Sequence, residues 1–195
     1  MRFDFKTLLI YSPRGSSQNA VKSKQLLGLC KNGNLKFCEA VAKRIKDLNL
    51  QDYFNGATLI PIPRSSPIIE GSLFPSKVIA EALLSNNIGN NVSLCLKRTK
   101  AIPRSSSQYD ANNRNSVQTH LESLAVDSEL ILDPVLILID DVFTQGRTAM
   151  GCAIKLKEVF PEKEIKVFCP FRTRSFEDND ICMSSNQFRH FGLNL

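Results

Sequence analysis

The chain has 195 residues, of which 43% are hydrophobic and 23% are charged, a composition typical of a globular protein with a sizeable core. No apolar run approaches the length of a transmembrane helix, and the first residues lack the cleavage site of a signal peptide, so we expect neither feature. The net charge of +6 suits an anionic ligand and permits nucleic acid, although scattered charge of this size is also ordinary for a solvated surface.

The first third of the chain predicts one strand, one loop and one helix. Residues 7–11 form a short apolar run that we interpret as an edge strand, and residues 12–24 are polar with a Gly-Ser-Ser turn, which predicts a loop. Residues 34–48 place their apolar side chains at helical spacing behind Asn34, a suitable N-cap.

A second segment combines a buried strand with groups that bind anions. Residues 58–62 are predicted to form a strand, and the prolines that follow force extended geometry before Arg64, Ser65 and Ser66. Pro75 then opens a helix. The three polar residues suit a phosphate group, and the alternative is an ordinary turn before a helix.

A third strand is predicted at residues 92–96, followed by a long polar segment. Residues 97–118 are basic and poor in apolar side chains. Such a segment inside a compact domain is a functional lid, a disordered stretch or a solvated loop. His120 and His190 stand alone in the sequence, and we expect a structural or exposed role for each.

The most informative stretch begins with the apolar run Val135–Ile139, which has the pattern of a strand buried on both faces of a parallel sheet. Asp140 and Asp141 follow it, then a short polar loop, then apolar residues at helical spacing up to Pro161. A last strand is predicted at residues 165–169, and residues 175–195 carry no motif. Because strands alternate with helices, the sequence predicts an α/β fold with a mostly parallel twisted sheet flanked by helices.

The loop in this stretch has the chemistry of a phosphate site. A helix N-terminus presents unpaired N–H groups and partial positive charge to an anion. Gly146 lets the backbone turn closely, Thr144 and Thr148 add hydroxyl donors, and Arg147 adds a cation beside Gln145.

The two carboxylates complete the prediction. Asp140 and Asp141 follow the carboxyl end of a strand, where open α/β sheets bind ligands, and they suit sugar hydroxyls or a diol bound to Mg²⁺. A phosphate and a diol within reach of one loop describe a ribose 5-phosphate. The alternative is a buried strand whose acidic end is solvated and caps the next helix.

The stretch from Asp140 to Thr148 resembles the phosphoribosyl-diphosphate signature of type I phosphoribosyltransferases. Gln145 departs from that signature, which usually has a small residue there, but the family's phosphate contact at this position comes from the backbone. The segment from Pro61 to Gly71 is similar to the ComF-like branch of the family, although this chain lacks the paired cysteines of the zinc ribbon found in many members. The resemblance spans residues 58–170.

The resemblance implies a single domain over residues 1–195 with a Rossmann-like phosphoribosyltransferase core at about 58–170. It implies a mobile basic loop at residues 97–118 and a small hood built from the flanking segments 1–57 and 171–195. The six cysteines are spread along the chain without a C-x-x-C pair, so we expect buried reduced thiols in a cytoplasmic protein.

The implied reaction is transfer of a phosphoribosyl group from phosphoribosyl diphosphate to a nitrogen acceptor, usually a base, with release of pyrophosphate. The resemblance assigns catalysis to Asp140, Asp141 and Arg104, and assigns Mg²⁺ to the two aspartates, directly or through water. Substrate phosphates are assigned to the residues of the two loops: Thr144, Gln145, Gly146, Arg147, Thr148, Arg64, Ser65 and Ser66. Position 144 carries no acid, so the loop offers no evident general base.

A second class of function fits the same residues. The protein would sense phosphoribosyl diphosphate or a nucleotide without turning it over, as a regulatory or nucleic-acid-associated protein. The resemblance is compatible with a homodimer in either case and implies no membrane partner. The acceptor itself is left open by the sequence.

Overall fold

The computed structural model describes residues 1–103, 115–174 and the backbone of 191–192. The strands are Arg2–Tyr11 (β1), Ala57–Pro61 (β2), Asn91–Val92 (β3), Leu96–Arg98 (β4), Leu124–Val126 (β5), Val135–Ile139 (β6), Val142–Phe143 (β7), Glu164–Thr173 (β8) and Phe191–Gly192 (β9). The α-helices are Gln18–Lys31 (α1), Leu35–Asp47 (α2), Pro75–Ser85 (α3), Val117–Leu121 (α4) and Arg147–Val159 (α5), and Gln51–Phe54 forms a 3-10 turn.

A mostly parallel sheet lies at the centre, with the strand order β3-β2-β6-β8-β1-β9. The two-residue β9 runs antiparallel to β1, and β7 pairs with β8 beyond the end of β6. β4 and β5, which lie on either side of α4 in sequence, form a separate two-stranded antiparallel sheet. We call it the β4–β5 hairpin. The predicted α/β architecture with a mostly parallel sheet and flanking helices is therefore confirmed. No helix within the described residues is long and apolar enough to cross a lipid bilayer.

Each face of the sheet is covered by its own hydrophobic core. Ile137 and Ile139 contribute to the core formed with α1, α2 and α3, whereas Leu136 and Leu138 contribute to the core formed with α5 and the β4–β5 hairpin. Because side chains alternate along a strand, only an unbroken apolar run can serve both cores. This explains why all five residues of β6 are buried.

Several predicted elements are confirmed within a residue or two. β2 and β6 lie where the sequence placed them, and α2 begins behind Asn34, whose side-chain oxygen accepts a hydrogen bond from the amide of Phe37 at 3.0 Å. α3 begins with Pro75, as predicted. The five cysteines of the described residues are free and buried, in line with the expectation of buried thiols.

The N-terminal strand is longer than predicted. β1 has ten residues and pairs with β8 along most of its length, so the flanking segment 1–57 contributes a strand to the central sheet. On its other side β9 pairs only with Arg2 and Phe3, so the predicted residues 7–11 have no second neighbouring strand among the described residues. The sequence shows only part of it because polar Asp4 and Lys6 alternate with buried Phe3 and Phe5. Such alternation hides the strand from a search for apolar runs.

The predicted loop at residues 12–24 is wrong in its second half, where α1 begins. Ser17 caps this helix by accepting a hydrogen bond from the amide of Ala20 at 3.2 Å. The buried face of α1 includes Ser23, whose hydroxyl donates to the carbonyl of Ala20 and accepts the amide of Ser12. A small polar residue on the buried face weakens the helical pattern, so the sequence did not predict the helix.

The predicted strand at residues 92–96 is divided between two sheets. β3 pairs with β2 in the central sheet, and β4 pairs with β5 in the hairpin. Ser93 makes the change of direction, since its amide donates to the carbonyl of Leu59 and its hydroxyl accepts the amide of Cys95. The last predicted strand, at residues 165–169, is longer than expected and forms β8.

The sheet has its topological switch point between β2 and β6. Pro61 pairs with Ile139, so the carboxyl ends of these neighbouring strands are level. The helix after β2 packs on one face of the sheet, and the helix after β6 packs on the other. The loops therefore diverge, and a crevice opens at the place where open α/β sheets bind ligands.

Tyr53, in the 3-10 turn, ties the turn to two strands. Its hydroxyl lies 2.9 Å from the carbonyl oxygen of Val167 and 3.1 Å from that of Asp4, and it accepts the amide of Val167 at 3.3 Å. The residue is 7% exposed, so water cannot replace these contacts easily.

We expect Tyr53→Phe to lower the free energy of unfolding by about 1–3 kcal/mol, because buried backbone groups lose their partner. Urea unfolding of the variant and of wild type measures the effect. Tyr11→Phe is the matched control, since the hydroxyl of Tyr11 makes no hydrogen bond to a described residue. Equal losses in both variants would show that the Tyr53 contacts contribute nothing specific.

Candidate functional site

Gly146 shapes the turn between β7 and α5. It adopts φ 72° and forms the N-cap of α5, with its carbonyl accepting the amide of Met150 at 2.8 Å. The amides of the first helical turn have no partner within the helix, and no side chain caps them at the N-cap position. A Cβ atom at position 146 would lie 2.7 Å from Cζ of Phe143, so both backbone angle and space require glycine.

An aromatic pair lies beneath this loop. Phe143 stacks on Phe5 of β1 with ring centroids 4.2 Å apart and an interplanar angle of 4°. The guanidinium of Arg172 lies over both rings, 4.9 Å from the centroid of Phe143 and 5.2 Å from that of Phe5. The N-terminal strand thus supports the loop from more than a hundred residues away in sequence.

Asp140 and Asp141 interrupt the strand that continues as β7. Ile139 pairs with Phe168 and Val142 with Phe171, so the register to β8 is the same on both sides of the two aspartates. The interruption leaves both carboxylates at the carboxyl end of β6, as predicted.

The two carboxylates have different partners. Oδ1 of Asp140 accepts the amide of Asp141 at 2.9 Å and lies 3.4 Å from the hydroxyl of Ser76 at the start of α3. Asp141 forms an ion pair with Lys31, at the end of α1, with 2.7 Å between Oδ2 and Nζ. The pair therefore joins helices from separate parts of the sequence.

The surroundings of Asp140 raise its pKa. Burial raises the pKa of Asp140, and the neighbouring charge of Asp141 raises it more. Burial acts to lower the pKa of Lys31, but the attraction of Asp141 outweighs it and the pKa is raised. Lys31 therefore stays cationic and neutralises Asp141, which is 15% exposed.

Two features of the acidic pair bear on the predicted magnesium site. Lys31 already occupies Asp141, and burial favours the neutral form of Asp140. Among the residues that the structure describes, no three Asp, Glu, His or Cys side chains come together as a ligand set. The predicted metal ligands, Asp140 and Asp141, lie at the end of β6, and binding of Mg²⁺ to them stays a prediction.

The second predicted anion loop lies beside the first at the switch point. Arg64 is exposed and its Nη1 donates to the carbonyl of Leu73 at 2.8 Å, which closes the loop on itself. Ser65 and Ser66 are half-buried, and the carbonyl of Ser65 accepts the amide of Ile102 at 2.8 Å. The loop is therefore fixed to the start of the basic segment.

Arg98 joins the second loop to the hairpin. It is 5% exposed, its Nε donates to the carbonyl of Arg64 at 3.0 Å and its Nη1 donates to the hydroxyl of Ser123 at 2.5 Å. Burial lowers its pKa, while the charge of Asp140 acts to raise it. Its hydrogen-bond partners among the described residues are uncharged, so a buried cation lies close to the crevice.

The remaining residues of the first loop take different positions. Gln145 is exposed, and the hydroxyl of Thr144 lies 2.8 Å from that of Thr173 at the end of β8. Thr148 lies on the first turn of α5, with its Oγ1 3.3 Å from Nε2 of His120. Sequence reasoning missed this histidine because α4 is distant in sequence and no motif contains it.

Two predictions concern residues at the edge of the described structure. Arg104, expected to act in catalysis, and the rest of residues 104–114 lie outside the described residues. On either side of them, the predicted polar segment 97–118 includes part of β4 and the start of α4.

A groove of about 460 Å³ adjoins the second loop. Its lining is largely apolar, and its charged residues are Glu70, Lys77, Lys97 and Arg98. The apolar residues are Pro67, Ile68, Ile69, Phe74, Leu94 and Leu96. A small molecule in this groove would contact both the loop after β2 and the hairpin.

A scan against models of protein families and a search of curated proteins both find no match to this chain. The resemblance described above therefore depends on the residues of the motifs alone. What the site can do follows from the geometry of its loops, carboxylates and cations.

We expect Gly146→Ala to lower the free energy of unfolding by about 1–3 kcal/mol, because alanine at positive φ is strained and its Cβ meets Phe143. Thermal unfolding measures the effect. Gly28→Ala, in the middle of α1, is the matched control, because a Cβ there meets no atom within 4 Å. Helix propensity predicts a gain of about 0.5–1 kcal/mol for the control, and a loss in both variants would contradict the assignment.

Because the pKa of His120 is lowered, we expect the protein to lose stability in acid. Burial, then the charges of Arg98 and Arg147, lower its pKa from 6.5 to about 4. Between pH 6.5 and pH 4, His120 therefore binds a proton in the unfolded chain but not in the folded chain. The contribution of the neutral His120 to the free energy of unfolding is complete above pH 6.5 and is lost as the pH falls to 4. We expect a loss of about 2–3 kcal/mol over this range.

Urea unfolding at pH 7 and pH 4.5 tests this expectation. His120→Gln removes the titrating group while every carboxylate remains, so the loss between the two pH values should be smaller in the variant than in wild type. Equal losses would mean that His120 does not titrate differently in the folded and unfolded states.

Proposed function

We propose that this protein binds phosphoribosyl diphosphate and transfers its phosphoribosyl group to a nitrogen acceptor, releasing pyrophosphate, on a type I phosphoribosyltransferase fold. One observation carries the proposal. A turn with left-handed Gly146, a pair of acidic residues and a second polar loop meet at the switch point between β2 and β6. One ligand can therefore meet hydrogen-bond donors for its phosphate groups and hydrogen-bond acceptors for the hydroxyls of its diol.

The 5-phosphate belongs in the loop before α5. Amides of the first helical turn, the hydroxyl of Thr148 and the guanidinium of Arg147 supply donors and positive charge. The ribose then extends toward Asp140 and Asp141, whose oxygens accept hydrogen bonds from the 2- and 3-hydroxyls. Lys31 compensates the charge of Asp141 while the sugar is absent.

The diphosphate belongs beside Arg64, Ser65 and Ser66, with buried Arg98 close behind them. In the transfer step the bond between the anomeric carbon and the diphosphate oxygen breaks, and the diphosphate leaves with the electron pair. The nitrogen lone pair forms the new bond to that carbon, and the proton of the acceptor passes to solvent. The protein positions the sugar and stabilises charge that develops on the leaving group.

Magnesium enters this scheme as part of the substrate. Phosphate oxygens and waters suit its octahedral coordination, and one or two carboxylates suffice on the protein side. Asp140 and Asp141 would meet the ion at the ribose, through water, without forming a resident site.

A second candidate function is sensing of phosphoribosyl diphosphate without turnover. It is favoured because the loop before α5 offers no evident general base: position 144 is a threonine, whose hydroxyl contacts that of Thr173, and Asp141 is paired with Lys31. Pyrophosphate release against a panel of nitrogen bases separates the two candidates. Release with at least one base supports transfer, and binding without release from any base supports sensing.

We expect the double variant Asp140→Asn and Asp141→Asn to lose binding of phosphoribosyl diphosphate while its fold survives. The substitution keeps the shape of both side chains, replaces one acceptor oxygen of each with an NH₂ donor, and removes the charge of Asp141, which is paired with Lys31. Isothermal calorimetry with Mg²⁺ present measures affinity, and thermal unfolding reports the fold. Asp47→Asn, at the exposed end of α2, is the matched control. Unchanged affinity in the double variant would refute the ribose site.

A further inference from the structure

His120 is enclosed next to the loop that we assign to phosphate. The residue is 2% exposed, and its Nε2 lies 3.3 Å from Oγ1 of Thr148. The other ring nitrogen, Nδ1, is buried and has no hydrogen-bond partner among the described residues. A buried polar atom without a partner is unusual enough to need an explanation.

The position of the ring is fixed by close packing of α4 on α5. A Cβ atom at Gly151 would lie 2.7 Å from Cβ of His120, so glycine is what allows the two helices to approach. Ser116 caps α4 by accepting the amide of Thr119 at 3.1 Å, and Ser123 at its other end binds Arg98. The Cβ of His120 is therefore held against α5 at Gly151, close enough for the ring to reach Thr148.

Burial and the neighbouring charges determine the protonation state of the His120 ring. Arg98 and Arg147 both act against a further positive charge, as does burial, so the ring is neutral and carries one proton. The proton lies on either Nδ1 or Nε2, and the choice determines the direction of the hydrogen bond to Thr148.

The two arrangements have different costs. If Thr148 donates to Nε2, the proton of the ring lies on Nδ1 as a buried N–H without an acceptor, in a region of positive potential. If Nε2–H donates to Thr148, the partnerless atom is a lone pair, which the nearby arginines favour. Orphaned buried N–H groups are the rarer case in proteins.

We propose that His120 is a positioning residue for the phosphate loop, with Nε2–H donating to Oγ1 of Thr148. One lone pair of the hydroxyl is then occupied, and its proton is left free to be donated to an anion at the N-terminus of α5. In the reverse arrangement the hydroxyl would present only lone pairs to a phosphate, which repel it. This role rests on the proposed function, because it requires that the loop hold a phosphate.

The tautomer can be read without any ligand. Long-range ¹H–¹⁵N correlation spectra of the wild-type protein at neutral pH distinguish a protonated Nε2 from a protonated Nδ1, and His120→Gln identifies the signals of this ring. We expect the Nε2–H form. A predominant Nδ1–H form would overturn the proposal, because the hydroxyl proton would then point to the ring.

Affinity tests the consequence for the loop, with ribose 5-phosphate and inorganic phosphate as probes. We expect His120→Phe to weaken binding of both probes about tenfold in the wild-type background and hardly at all in a Thr148→Ala background. His120→Gln keeps an N–H donor near the position of Nε2 and should restore most of the affinity. Equal weakening by His120→Phe in both backgrounds would overturn the role.

A second variant tests the same contact without placing a phenylalanine at position 120. Gly151→Ala keeps both His120 and Thr148 but forces α4 away from α5, so it should weaken binding of the probes as His120→Phe does. Gly28→Ala, remote from the loop, should leave the affinity unchanged. Full affinity in Gly151→Ala, with the helices shown by spectra to be displaced, would count against the proposal.

The results distinguish failure of the His120 role from failure of the proposed phosphate binding. If wild type binds neither probe, the phosphate loop itself is refuted, and the role of His120 toward an anion falls with it. If wild type binds both probes but the mutant cycle shows no coupling between His120 and Thr148, only the positioning role is refuted.

Discussion

The burial of β6 on both faces is the constraint on which the rest of the structure depends. Its five apolar side chains alternate between two cores, one beneath α1 to α3 and one beneath α5 and the hairpin. A strand that serves both cores must be central and must end where the layers separate. The crevice between β2 and β6 is the geometric result, and the polar residues after each strand are placed in it because parallel strands end at the same edge.

Charge in the crevice is balanced by residues from outside the two loops. Lys31 of α1 pairs with Asp141, and Ser76 of α3 lies near Asp140. Buried Arg98 contributes a cation on the other side, held by a carbonyl and a hydroxyl. The charge of Asp141 is therefore compensated by Lys31, whereas Arg98, together with Arg64 and Arg147 of the two loops, leaves the site with an excess of positive charge.

The loop before α5, where we propose that phosphate binds, is supported by residues from two other elements. Phe5 of β1 stacks beneath Phe143, and His120 of α4 lies against Thr148. Both contacts depend on close approach at a glycine, since Gly146 lies over Phe143 and Gly151 lies against His120. A loop built in this way is positioned before a ligand arrives, which reduces the entropy that binding must overcome.

The sequence by itself determined the elements whose pattern is local. β2, α2, α3, β6 and α5, the acidic pair and the glycine turn follow from apolar runs, helical spacing and turn chemistry within a few residues. The tertiary structure alone decided that β1 extends over ten residues, that residues 18–31 form a helix, and that Lys31, Arg98 and His120 reach the site. These features depend on contacts between residues far apart in the chain, and alternating or polar patterns do not specify such partners. Hydrophobic periodicity fixes which face is buried, whereas packing fixes what that face meets.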